Sequence, residues 1–289
     1  MILISDCGSS LCKWSLFDNR GEKIKSWQSL GFNFSIHSEA KIMEMVYHPK
    51  WPFERSDISA LWFFGAGLNS PEHLDKAYNL FSGVYSRAKV EVGSDMVLAA
   101  LATAGSEKGV CCIMGTGSNS AFWNGFEMIK NTPSLGYLLG DEASGNYFGK
   151  EILRDYYYRQ LPKELCEVLE NRMEMDLNTV TDELYRGDKP NKFLAGVFGC
   201  LTDRLDHPYI RSIVASGLEK FFVKHIDVYG ESREWPIHFS GSVAKGLEEQ
   251  IRKFATTKGY VIGRIVKNPL EEINLKDLEG YGDRKKQQK

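Results

Sequence analysis

Asp6-Cys7-Gly8-Ser9-Ser10 is an acid near the end of an apolar run, followed by a tight turn of glycine and hydroxyl residues. Backbone N–H groups in such a turn can point at phosphate oxygens, and an aspartate at a strand tip can hold magnesium, usually through water. The plainer use of the same residues is a hairpin with small residues at its turn. Gly115-Thr116-Gly117-Ser118-Asn119-Ser120 repeats the device, again after one apolar run and before another. Its hydroxyls and glycine backbone make a second anion cradle. Two matching cradles point to a polyphosphate held between them.

Three other segments carry carboxylates or glycine turns. Gly93-Ser94-Asp95 puts a carboxylate at the start of an apolar helix, where the helix dipole keeps it ionised and fixes its direction. That suits a general base receiving a hydroxyl proton, and it equally suits an N-cap. In Gly136-Tyr137-Leu138-Leu139-Gly140-Asp141-Glu142-Ala143-Ser144-Gly145 two carboxylates follow a glycine turn. They can recognise sugar hydroxyls or position magnesium, or form an acidic first helical turn. Phe239-Ser240-Gly241-Ser242-Val243-Ala244 sets Gly-Ser between strand and helix, where a ribose or base edge can approach the backbone or a helix is simply capped.

The elements that position these residues read as two copies of one order. Residues 1–5 and 11–17 are apolar strands, and the Asp18-Asn19-Arg20-Gly21 turn leads to a third. Helical spacing follows over 38–48, a buried strand over 58–64, a helix over 71–81, a strand over 90–92 and a helix from Asp95 to Ala104. From Gly109 the meander recurs in strands 110–114, 120–123 and 127–130. A helical stretch from Ser144 then runs to a long amphipathic helix over 209–229, and strand and helix alternate through 237–240, 243–255, 260–265 and 269–278. The expectation is an α/β fold of two lobes with a cleft between them. The N-terminal lobe spans 1–108; the C-terminal lobe spans 109–289 and carries a helical insertion, and its last helix near 268–280 packs back on the N-terminal lobe.

In 289 residues, 43% are hydrophobic and 26% charged, the proportions of an ordinary globular chain rather than a fibrous or disordered one. The 36 basic and 38 acidic residues leave a formal charge of -2, so no global field recruits nucleic acid or an anionic membrane. The basic end 284–289 reads as a solvated tail. With no basic leader at the start and no apolar run of about 18 residues, the expected location is the cytoplasm. Cys7, Cys12, Cys111, Cys112, Cys166 and Cys200 form no CxxC pair and no zinc quartet.

Taken in order, Asp6-x-Gly-Ser-Ser, Gly-Ser-Asp95, Gly115-Thr-Gly-Ser-Asn-Ser, Gly140-Asp-Glu-Ala-Ser-Gly and Ser240-Gly-Ser-Val-Ala resemble the BadF/BadG/BcrA/BcrD-type ATPase family, in its N-acetylglucosamine kinase branch. That family lies in the actin and sugar-kinase superfamily, whose duplicated ribonuclease-H-like (actin-like ATPase) lobes match the order read above. The resemblance covers nearly the whole chain. It implies a kinase using ATP and magnesium, with Asp6, Gly8, Ser9 and Ser10 as the first phosphate loop and Gly115, Thr116, Gly117 and Ser118 as the second. It further implies Gly241 and Ser242 as the adenosine contact, Asp95 as the base, and Asp141 and Asn33 as sugar ligands. N-acetylglucosamine is the expected substrate and N-acetylmuramic acid the alternative; an ATPase activator of a dehydratase and a catalytically weak sugar sensor are the rivals of other classes. A homodimer is compatible with this reading. Leu11 and Cys12 depart from the family, standing where it has a lysine and a threonine, and Ala143 replaces its glycine, a change compatible with a helix.

Overall fold

The alternation of apolar residues near the N-terminus forms an antiparallel meander of β1 (Ile2–Cys7), β2 (Leu11–Phe17) and β3 (Lys23–Leu30). The computed structural model describes residues 1–8, 11–47 and 51–287. Ser9 and Ser10, expected in the first phosphate loop, lie outside the described residues. After α1 (Glu39–Val46), β4 (Ala60–Gly65) adds to the other edge of β1 in parallel; after α2 (Pro71–Val84), β5 (Lys89–Ser94) adds to β4, and α3 (Asp95–Thr103) follows at once. The sheet order is β3-β2-β1-β4-β5.

A second sheet repeats it. β6 (Gly109–Met114), β7 (Ser118–Trp123) and β8 (Met128–Asn131) form the meander, and β9 (Ile237–Ser240) and β10 (Ile262–Val266) add in parallel, giving β10-β9-β6-β7-β8. Between β8 and β9 lie α4 (Gly136–Leu139), α5 (Gly145–Tyr157), α6 (Lys163–Arg172), α7 (Leu177–Tyr185), α8 (Pro190–Gly199) and α9 (Pro208–Phe221); α10 (Ser242–Gly246) and α11 (Glu248–Thr257) lie between β9 and β10. The chain ends in α12 (Pro269–Glu272) and α13 (Leu275–Gln287). The fold is thus a duplicated, two-lobed α/β architecture.

The chain divides into one unit of Met1–Gly105 with Pro269–Lys289 and another of Ser106–Asn268. In the first, alternate residues of the central strands, among them Leu3, Cys7, Cys12, Trp14, Leu61 and Phe63, pack against Ile42, Val46, Ala77 and Phe81 of α1 and α2. The opposite face is met by α3 and α12. In the second unit Val110, Cys112 and Met114 of β6 join a core built with α5, α8 and α9. Each unit buries enough apolar surface to hold its strand ends rigid, which is what positions the residues below.

Two helices differ from their expected form. The run 209–229 is not one α-helix: α9 ends at Phe221 and continues as a π-helical turn over Phe222–Ile226. The run 243–255 breaks at Leu247 into α10 and α11. No helix among the described residues is long and apolar enough to cross a membrane.

Candidate functional site

In the first unit the candidate residues gather where the parallel strands end, the usual place for ligands in open α/β sheets. Asp6 is paired with Lys13 on β2 and Phe64 on β4, and Phe64 with Gly93 on β5, so that Asp6 and the turn before α3 share one row of the sheet. Ser94, not Asp95, caps α3: its Oγ accepts from the Val97 N–H at 3.4 Å. This leaves Asp95 as the first helical residue, its Oδ1 accepting from the Met96 N–H at 2.9 Å. Burial, reinforced by the negative charge of Asp6 and opposed by that backbone hydrogen bond, pushes the Asp95 carboxyl up to about 6. Burial also raises Asp6, against the pull of Lys13.

Asn33 is committed locally. Its Oδ1 accepts from the Ser35 N–H at 2.8 Å, and its own N–H donates to His37 Nδ1 at 3.0 Å. A Cβ on Gly67, which follows β4 at φ +81°, would come within 1.9 Å of that Oδ1, so the Asn33 loop is pressed against the end of β4.

In the second unit the structure joins three of the expected segments. The carbonyls of Gly115 and Thr116 accept from the N–H groups of Gly145 and Asn146 at 2.8 and 3.0 Å, fastening the second cradle to the first turn of α5. Gly241, at φ +128°, lies so close to it that a Cβ would meet the Met114 carbonyl oxygen at 2.3 Å. Gly117 is pressed against Asp141, whose Oδ2 would stand 2.8 Å from an added Cβ. Asp141 is itself held by two donors, the Ser118 N–H on Oδ1 at 3.2 Å and Asn146 Nδ2 on Oδ2 at 2.7 Å.

Asp141 and Glu142 do not form an acidic first helical turn. Ser144 caps α5 through its Oγ, and both carboxylates precede it in the turn. Asp141 and Ala143 have φ of 60° and 58°, the left-handed region, at about 1–2 kcal/mol each for residues other than glycine. The expectation that Ala143 is simply compatible with a helix therefore fails: it occupies a position whose backbone favours the glycine it replaces.

Sequence reading missed what surrounds Glu142. Its side chain is almost wholly buried, with Oε1 2.5 Å from Lys224 Nζ and Oε2 3.0 Å from His225 Nε2. Burial raises the Glu142 pKa, but the bonds from Lys224 and His225 outweigh it and hold the carboxyl below its usual range. His225 Nδ1 lies 3.1 Å from Thr132 Oγ1. Asp141, Glu142, Thr132, His225 and Ser118 line a cavity of about 540 Å³, which also takes in Lys130, Leu135, Leu139 and Tyr229. A volume of this order suits a small polar ligand.

Cys111 and Cys112 are both buried in β6, where neighbours point to opposite faces. Cys7 and Cys12 are buried and directly opposite one another across β1 and β2.

Neither a protein-family model nor a curated protein sequence matches the chain. Among solved structures, a Porphyromonas gingivalis protein provisionally named N-acetylglucosamine kinase is similar at 30% identity and a TM-score of 0.89, over 97% of this chain and 98% of that one. A Chromobacterium violaceum protein under the same provisional name is similar at 15% identity and a TM-score of 0.66, over 91% and 94% of the two chains. A ROK family glucokinase from Streptomyces griseus, solved with glucose and AMPPNP, is similar at 13% identity and a TM-score of 0.57, over 93% and 94%. The last two share the fold.

Proposed function

Because the chain belongs to the BadF/BadG/BcrA/BcrD-type ATPase family, in its N-acetylglucosamine kinase branch within the actin and sugar-kinase superfamily, we propose that it is an ATP-dependent kinase of an N-acetylated amino sugar, N-acetylglucosamine first. The observation that carries this reading is Asp95. A carboxyl at the first position of a helix, raised to about 6 by burial and by Asp6, is ionised at neutral pH yet basic enough to take a hydroxyl proton as the oxygen attacks the γ-phosphoryl group.

The other residues have roles that follow from their chemistry. In the turn Gly115 to Ser118, fastened to α5, Thr116 and Gly117 receive phosphoryl oxygens, while the Gly115 N–H is held by the Gly117 carbonyl and Ser118 is spent on Asp141 and Glu142; Gly241 and Ser242 give an adenosine edge close access to backbone. Asp141 accepts from sugar hydroxyls at the cavity described above, and Asn33 is the residue of the first unit that the family reading offers to a sugar.

Magnesium fits Asp6. Its carboxylate stands near that of Asp95, so a divalent cation there would offset the repulsion between them. Magnesium keeps several waters and takes phosphate ligands, so one carboxylate is a sufficient protein anchor. When bound, it would neutralise phosphate charge.

N-acetylmuramic acid is the second reading. Lys130 and Lys224 line the cavity of Asp141, and a lactyl carboxylate can compete with Glu231 and Glu142 for them. Steady-state turnover with ATP and a panel of amino sugars tests both. Phosphorylation of N-acetylglucosamine in preference to glucose supports the proposal, and no turnover of any amino sugar sinks it.

A further inference from the structure

The backbone around Glu142 is strained on both sides. Only three non-glycine residues among those described have φ in the left-handed region, and Asp141 and Ala143 are two of them. Such conformations persist only where surrounding contacts over-determine them. Here the contacts converge on the residue between. Lys224 and His225 are consecutive in the chain, yet both reach the Glu142 carboxylate, one on each oxygen. A regular α-helix turns about 100° per residue and would aim the two apart; they lie in the π-helical turn over Phe222–Ile226, a distortion frequent at functional sites. His225 is fixed in turn by Thr132 on one nitrogen and by the Phe221 ring stacked 4.8 Å away. On the backbone side, Ser118 Oγ donates to the Glu142 carbonyl at 2.7 Å while the Ser118 N–H donates to Asp141.

We propose that Glu142 is a positioning residue: clamped by Lys224 and His225 from the π-helical turn, it holds Asp141 in its strained conformation and so sets the affinity of this cavity for the sugar. The carboxylate does this by tying the turn before α5 to a helix more than eighty positions along the chain. A glutamine at the same place loses the charge that holds Lys224 and has one acceptor oxygen in place of two, so it cannot accept from both partners as the carboxylate can. The turn is then free to relax toward ordinary φ, and the Asp141 carboxylate leaves its two donors. Asp141 as the sugar ligand rests on the kinase reading above; the clamp itself does not.

Two measurements on Glu142→Gln test this. The first is amide hydrogen exchange at Ser118, whose N–H is bonded to Asp141 and which needs no ligand. Exchange there is expected to quicken by about tenfold or more, as for loss of a charge-assisted bond, while strand β4 in the other unit is unchanged. The second is kinetics with N-acetylglucosamine, where KM for the sugar is expected to rise by about tenfold with kcat and KM for ATP held within about twofold. The further change Ala143→Gly, which removes the strain beside Glu142, is expected to restore part of the sugar affinity. Unchanged Ser118 exchange overturns the proposal: with KM raised it makes Glu142 a direct sugar contact, and with KM unchanged it makes the clamp irrelevant to the site. If the wild type binds no amino sugar while Ser118 exchange does quicken, the kinase reading fails and the clamp stands.

Discussion

Lys13 lies directly opposite Asp6 across the β1–β2 pair, and its positive charge draws the Asp6 pKa down against the effect of burial. Directly paired residues share a face of the sheet, so Lys13 and, two positions earlier, Leu11 point to the side of Asp6. Cys12 points to the other side and is wholly buried in the core with Trp14 and Phe63. A lysine at Leu11, which is 41% exposed, would therefore add to the charge beside Asp6, whereas a threonine at Cys12 would bring a hydroxyl into the core.

The first prediction follows from these two faces. Lys13→Ala is expected to weaken ATP usage by one to two decades, about 1.5–3 kcal/mol for a lost charge-assisted contact. Leu11→Lys is expected to improve it, and Cys12→Thr to give no gain and lower the unfolding midpoint. KM for ATP and thermal melts of the three variants decide; unchanged ATP dependence in both lysine variants removes β2 from the phosphate site.

Asp95→Asn is expected to keep the fold and nucleotide binding and to lose orders of magnitude in turnover. In the wild type kcat/KM should climb with pH through about 6, since the base acts only when its carboxyl has lost its proton. A pH profile flat from 5 to 7, or near-normal turnover in the variant, would reduce Asp95 to a structural residue.

The same carboxyl has a cost in stability. Its folded pKa of about 6 lies above the unfolded value near 3.8, so the folded state binds the proton more tightly. Stability tied to that proton is complete below about 4 and lost as pH rises through 6, a difference of roughly 3 kcal/mol. Asp95→Asn should then be more stable than wild type at pH 7.5 and indistinguishable from it near pH 4, by urea denaturation at each pH.

Gly117→Val places its Cβ against the Asp141 carboxylate and is expected to weaken both sugar and nucleotide binding. Gly241→Ala meets the Met114 carbonyl and strains a backbone at φ +128°, so it should displace the second cradle and lower nucleotide affinity alone. Asp6→Ala should lose the magnesium-dependent part of nucleotide binding. Calorimetric titration with an ATP analogue, with and without magnesium, separates the three.

Much of the fold was legible because its signals are local. The Asp18 to Gly21 and Asn124-Gly125 turns punctuate short apolar strands, and Pro71 and Ser94-Asp95 mark helix starts. Asp95 could be singled out from its place after a glycine and serine, although only the structure shows that Ser94 takes the capping role. What escaped depends on distance and phase. The pairing of Glu142 with Lys224 and His225 spans too much chain for any spacing rule. The π-helical turn adds a residue without disturbing the apolar pattern of 209–229, so the run reads as an ordinary helix. Ala143 looked benign because propensity describes a residue inside a helix, and this one sits just outside, in a turn set by its neighbours.

The second unit is one uninterrupted stretch of chain, whereas the first is assembled from both ends, with α12 against β1, β2 and α3. During synthesis all of Ser106–Asn268 has been made before α12 exists, so the unit carrying the glycine cradle and Asp141 can complete its core while the unit carrying Asp6 and Asp95 still exposes part of a sheet face. A chain stopped at Asn268 would therefore retain every residue named in the second unit while leaving β1, β2 and α3 of the first without the helix that packs on them.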